Sequence, residues 1–440
     1  MYWFIDIATT RCQENNAIEF LLHISSIFGS KFSQNIQLTK DTIRYLKFFS
    51  YRCDASDAEK YNREPYYELE KMIQTIIIDE KYINTMKSCG YNCDLSSIEN
   101  SINHSDCKEF RDCKLIGGSF DVCEVYRPYN SRRYQWFHDN NGIVYGDSSN
   151  QQCYKRRYLS SYFEASQFRY CDYCMCTCIK KQKRGYHIVT AISFRDQVSN
   201  IDDNMVVMGV RFVRQDYMIH AQIKEGKLGQ IGYNLYDPWK ELENFDYDSE
   251  TDKYFIKNLN GSKTLTMGID YGHPEAMNFD DLIAPEGFVI TGVRFRFARD
   301  SLNLPGLKSN PVELQIRVSP FDYFGKKIIN HDQTHWISPK QKHQRDELIL
   351  NEPDIPTKSS ENLIDSSEGQ FIRFRASDLK KDAGQSTVPF FDAMEAEGYP
   401  GFPLGGIGII HRGRKGFGGY LAFKILDLDL SHYFKDDLFR

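Results

Sequence analysis

The sequence predicts an α+β protein in two parts: an N-terminal, disulfide-linked helical region over residues 1–165, then an all-β domain over residues 166–440 with an internal repeat. Three observations carry this. All twelve cysteines of the 440-residue chain lie between Cys12 and Cys178, and none follows. Apolar residues in the first hundred positions recur at mixed spacings of three and four, the helical period. Beyond about Gly185 the texture changes to short β-type runs, one pair of which occurs twice. The length exceeds the roughly 250–300 residues at which one hydrophobic core stops growing, so more than one folding unit is expected.

Taken in order, Ile18, Leu21, Leu22, Ile24 and Ile27 suggest a first helix, and Ile43, Leu46, Phe48 and Phe49 a second behind Thr39 or Thr42 as N-cap. Tyr66 to Met86 reads as an amphipathic helix, with Leu69, Met72, Ile73, Ile76, Ile77 and Ile83 interleaved with Glu68, Glu70, Lys71 and Lys81. From Cys107 to Cys153 the pattern breaks into turns and short strands. In the second half, Met208-Gly209-Val210-Arg211-Phe212 followed by Ile219-His220-Ala221-Gln222-Ile223 is echoed by Thr291-Gly292-Val293-Arg294-Phe295 followed by Val312-Glu313-Leu314-Gln315-Ile316. A degenerate third copy is read at Gly406 to Ile410 followed by Gly419 to Ile425. Repeated strand pairs bury a shared core only by packing on one another, which suggests a pseudo-symmetric β-prism, a barrel or a β-sandwich.

Composition sets further bounds. With 41% hydrophobic and 26% charged residues the chain is globular in type. A net charge of −5 argues against a nucleic-acid partner. No run approaches the roughly 18 apolar residues of a membrane span. An even number of crowded cysteines points to disulfides in an oxidising compartment, so Cys12, Cys53, Cys89, Cys93, Cys107, Cys113, Cys123, Cys153, Cys171, Cys174, Cys176 and Cys178 are all expected to pair and the protein to be secreted. Asn103-His104-Ser105 and Asn260-Gly261-Ser262 are acceptor sequons for N-glycosylation at Asn103 and Asn260.

The densest cluster is Cys171-Asp172-Tyr173-Cys174-Met175-Cys176-Thr177-Cys178. On a strand, Cys174, Cys176 and Cys178 share a face and can reach three different cysteines. No second CxxC or His pair completes a metal site, and no metal or cofactor is expected. Around His411 to Tyr420, Arg412, Arg414 and Lys415 could attract an anion while Phe417 and Tyr420 offer faces for stacking, and the intervening glycines let a ligand approach the backbone. Asp246 to Asp252 resembles the opening of a calcium loop but has Thr251 at the turn-glycine position and Lys257 at the bidentate-acid position. No HExxH or GxSxG is present, so no catalytic residue is assigned.

The strings Cys171-Asp172-Tyr173-Cys174, Val210-Arg211-Phe212, Gln222-Ile223-Lys224-Glu225-Gly226-Lys227-Leu228, Ala284-Pro285-Glu286-Gly287, Thr291-Gly292-Val293-Arg294-Phe295, Asn351-Glu352-Pro353-Asp354-Ile355-Pro356, Gln385-Ser386-Thr387-Val388-Pro389-Phe390 and Gly413-Arg414-Lys415-Gly416 together resemble an arthropod family of secreted proteins without an assigned function. The resemblance covers roughly residues 165–430 and implies a secreted chain whose signal is missing or cleaved; it carries no activity. The expected function is non-enzymatic recognition of a glycan or other extracellular macromolecule through loops of the β domain, including Arg412 to Tyr420. The alternative is a structural or storage protein of a matrix or secretion.

Overall fold

Three long antiparallel hairpins organise the second half of the chain: Met205–Gln215 with Met218–Lys227, Phe288–Phe297 with Val312–Asp322, and Leu404–Gly413 with Tyr420–Asp427. The computed structural model describes residues 49–50, 64–70, 72–97, 107–125, 132–147, 153–180, 189–228, 238–248, 251, 253–258, 261–299, 307, 309–340, 345–398 and 402–429. Each hairpin is the centre of one sheet, and the three sheets enclose a common core as a β-prism. The third copy of the repeat is therefore real, and the choice between prism and sandwich falls to the prism.

Pairing repeats to the residue. Every first strand carries a bulge at the same place, between Val207 and Gly209, Ile290 and Gly292, and Leu404 and Gly406. Counting from these glycines, Val210, Val293 and Ile407 are equivalent, as are Arg211, Arg294 and Gly408, and Phe212, Phe295 and Ile409. The second strand of each hairpin is joined in parallel by a short strand, Ala191–Ser193, Ala276–Asn278 or Phe390–Asp392. The next short segment crosses to the neighbouring sheet: Gln197–Val198 edges the second hairpin, Asp281–Ile283 the third and Ala396–Glu397 the first. Each unit thus hands one strand to the next, which closes the prism as a ring and covers one edge of every hairpin.

At the centre Phe212 packs on Phe295 and Phe423, with ring centroids 6.1 and 4.2 Å apart. In the first two units the phenylalanine is on the first strand, opposite Ala221 or Leu314. In the third it has moved across the pair, with Ile409 opposite Phe423. Volume at the axis is kept while the sequence signature is lost, which is why the third copy is degenerate to the eye.

The helical N-terminal region is corrected by the structure. Among the described residues the α-helical element is the single turn Leu379–Asp382, and the N-terminal region is β. Residues 18–28 and 43–48 lie outside the described residues. The segment expected as a helix over Tyr66 to Met86 forms strands Tyr66–Tyr67 and Ile73–Asp79 and a short 3-10 turn, Glu80–Tyr82. Its apolar spacing mimicked a helix because the strand Ile73–Asp79 is buried on both faces: Ile76 and Ile78 enter one core, Ile77 another. Burial on both faces erases the period of two, and the β-branched run decides for strand.

That strand pairs with Tyr173–Lys180, which pairs in turn with Cys107–Ile116. Residues 166–180 thus fold with the N-terminal region. A second sheet, built from Ser119–Glu124, Tyr134–Asp139, Val144–Gly146 and Lys155–Ser160, completes this disulfide module. The module covers the hairpin-tip end of the prism. Tyr66, Leu69, Met72 and Ile73 are part of the prism's own core, and Glu70 pairs with Arg214 of the first unit, Arg111 with Glu275 of the second and Arg132 with Asp382 of the third. Gln385 is the polar hub of the seam. Its Oε1 accepts from the Arg133 and Tyr134 amides and its Nε2 donates to the Thr75 and Ala383 carbonyls, which satisfies a fully buried amide.

Candidate functional site

Among the described residues, five disulfides join Cys89 to Cys171, Cys93 to Cys174, Cys107 to Cys178, Cys113 to Cys176 and Cys123 to Cys153. Cys174, Cys176 and Cys178 do share a face, and each meets a different partner. All five bridges lie inside the N-terminal module, so they staple that module and not its seam with the prism. Cys12, Cys53, Asn103 and Asn260 lie outside the described residues. Asp79 lies beside the sulfurs of Cys89 and Cys171, but these are bonded to each other and offer no thiolate to a metal.

The loop from His411 to Tyr420 divides into a buried and an exposed part. Arg412 is buried, donates to the Asn362 carbonyl at 2.8 Å and lies over the Tyr420 ring. Tyr420 is buried and stacks on Tyr66 at 4.5 Å, so a residue of the N-terminal module occupies the face expected to meet a ligand. Arg414 and Lys415 are exposed, Arg414 donating to Ser360, and Phe417 is half-buried. The structure does not bring the five residues together on one surface. His411 is fully buried, its Nδ1 2.6 Å from Asp365 and its Nε2 3.0 Å from the Gly418 carbonyl. Its second nitrogen faces a carbonyl, not a hydroxyl or thiol, so this His–carboxylate pair has no nucleophile to activate.

The outer faces of the prism show a different pattern. On the first face Arg211 donates from Nε to Gln222 at 2.8 Å, pairs with Glu395 at 2.6 Å and lies 4.1 Å from the ring centroid of Trp239. On the second, the equivalent Arg294 donates to Gln315 at 2.8 Å, pairs with Asp196 at 3.4 Å and lies 4.0 Å from Trp336. The two tryptophans oppose equivalent residues, Lys224 and Arg317. Each guanidinium is fixed by a neutral acceptor, a carboxylate and an aromatic face, which together clad the sheet.

The third face departs from this. Gly408 stands where the arginines stand, and Lys424 where the glutamines stand. The cation has changed strands: Lys424 Nζ donates at 2.6 Å to Asp281, the residue equivalent to Asp196 and Glu395. Phe49 has the register position of the tryptophans, opposite Leu426. Losing a guanidinium side chain leaves room, and here a groove of about 190 Å³ is lined by Asp281, Ile364, Ser366, Ser367, Glu368, Ile409, Ile410 and Lys424. A Cβ on Gly408 would collide with the Asp281 carboxylate, so the glycine is needed for this arrangement. Ser366 fixes one wall, accepting from the His411 amide at 2.8 Å. Sequence reasoning did not single out Gly408, Asp281 or Lys424. The available signal was the missing arginine in the third copy of Gly-Val-Arg-Phe.

A family model, described as a domain of unknown function, DUF4803, matches residues 3–223, half of the chain. The chain belongs to this family. The matched span takes in the disulfide module and the first hairpin as far as Ile223. No curated protein matches the chain.

Proposed function

We propose that this member of the DUF4803 family is a secreted, non-enzymatic recognition protein that binds a glycan or other extracellular macromolecule through the third face of its prism. The observation that carries the reading is the break in threefold repetition: two faces are clad by an arginine, a glutamine and a tryptophan, and the third replaces them with Gly408, Lys424 and a polar groove. Departures from a local rule that the rest of a fold obeys concentrate at functional sites. Five disulfides support an extracellular setting, and the motif resemblance supports an arthropod source.

Glycan-array binding by the whole chain tests this, alongside the double variant Gly408→Arg/Lys424→Gln, which rebuilds on the third face the pair that the other two already hold. The variant is expected to keep its circular dichroism, with the Asp281 carboxylate turning away from the new Cβ to pair with the guanidinium as Asp196 and Glu395 do, and to lose binding. Retained binding would remove the third face from consideration. A structural or storage role is the second reading, favoured by the exposed aromatic cluster Phe163, Phe168 and Tyr170 on one hairpin of the module. It predicts self-association in sedimentation with no array ligand retained.

A further inference from the structure

Resting on the recognition reading, the chemistry of the third-face groove narrows its ligand, and we infer that it takes a single uncharged sugar residue of a longer chain and disfavours carboxylated or sulfated counterparts. Ile364 and Ile410 supply an apolar wall. Asp281 and Glu368 supply carboxylate acceptors, Ser367 a hydroxyl and Lys424 an ammonium. A pyranose matches this division, with C–H groups on a ring face and hydroxyls at its rim that both donate and accept. At about 190 Å³ the groove is smaller than the roughly 300–1,000 Å³ of sites that enclose a whole small molecule. It suits one residue of an oligosaccharide whose remainder lies along the sheet.

The charge preference follows from the neighbours. The groove holds two carboxylates and one ammonium, and that ammonium is already held by Asp281 at 2.6 Å. Asp365, in the chain segment next to Ser366, adds a third carboxylate close by, paired with His411. An anionic group entering here meets like charge at short range, which interfaces use to exclude wrong partners. On the other two faces the equivalent cations, Arg211 and Arg294, are each engaged by an acid and covered by a tryptophan.

The test is calorimetric titration of the whole chain with matched oligosaccharides, neutral hexose chains against their uronic-acid or sulfated forms, at physiological salt. The neutral form is expected to bind and the acidic form to bind at least about tenfold more weakly. Glu368→Gln, an exposed change that leaves packing intact, should narrow that gap. Equal or tighter binding of the acidic form, still lost in Gly408→Arg/Lys424→Gln, would overturn the ligand class and leave the recognition reading standing. Binding by neither form would overturn the ligand class, and binding that survives the double variant would overturn the third-face assignment as well.

Discussion

His220 lies in the first hairpin, 1% exposed, with its ring against Phe245 at 4.8 Å and Nε2 3.0 Å from the Gln215 carbonyl. Burial pushes its pKa down to about 4; the Gln215 carbonyl and the charges of Asp216 and Glu243 only partly offset this. The ring is neutral in the fold but accepts a proton near pH 6.5 once unfolded. Its stabilising contribution is therefore complete above about pH 6.5 and is lost as pH falls through about 4, a change on the order of 3 kcal/mol. Denaturant midpoints measured from pH 7 to pH 4 should show this loss in the wild type and a smaller one in His220→Gln; identical profiles would mean another group titrates. In the sequence His220 is one of eleven histidines, and only packing distinguishes it. Arg412 and Tyr420 show the converse. Residue type and nearby glycines suggested an exposed surface, whereas Tyr66, more than 300 positions away in sequence, covers the tyrosine ring.

At the scale of elements, the repeated glycine of the bulge has one physical cause in all three units. A Cβ on Gly209, Gly292 or Gly406 would lie 3.2, 2.8 or 2.8 Å from the carbonyl of Ala396, Gln197 or Leu282, which are equivalent residues of the three exchanged edge strands. The glycine lets the neighbouring unit's strand close the edge. Gly292→Ala and Gly406→Ala are each expected to cost about 1–3 kcal/mol, because a backbone carbonyl cannot step aside as a side chain can. Thermal unfolding checks this, and a change under about 0.5 kcal/mol at both sites would contradict the strand-exchange explanation. The Gly-Val-Arg-Phe echo was legible in the sequence because its glycine and phenylalanine meet the same constraint in two units. The N-terminal strands were not, since a strand buried between two cores shows no alternation, and the apolar residues of Tyr66 to Met86 then fit a helix equally well.

Across the whole molecule, the cysteine asymmetry reflects a difference in core-building capacity. The prism encloses a large continuous core and needs no cross-links, while the module's two small clusters are stapled by five. The module is also joined to the prism by more than a linker, since Leu69, Met72 and Ile73 enter the prism core and ion pairs reach all three units. With the hairpin-tip end covered in this way, the outer faces are the surfaces on which the units can differ, and the third does. Hydrogen-exchange mass spectrometry of the whole chain, with and without a saturating array-selected glycan, tests that claim most directly. Added protection confined to segments around Asp281, Ile364–Glu368, Ile409–Ile410 and Lys424 is the predicted result; protection centred instead on Arg414 to Phe417, or on the Trp239 and Trp336 faces, would contradict it.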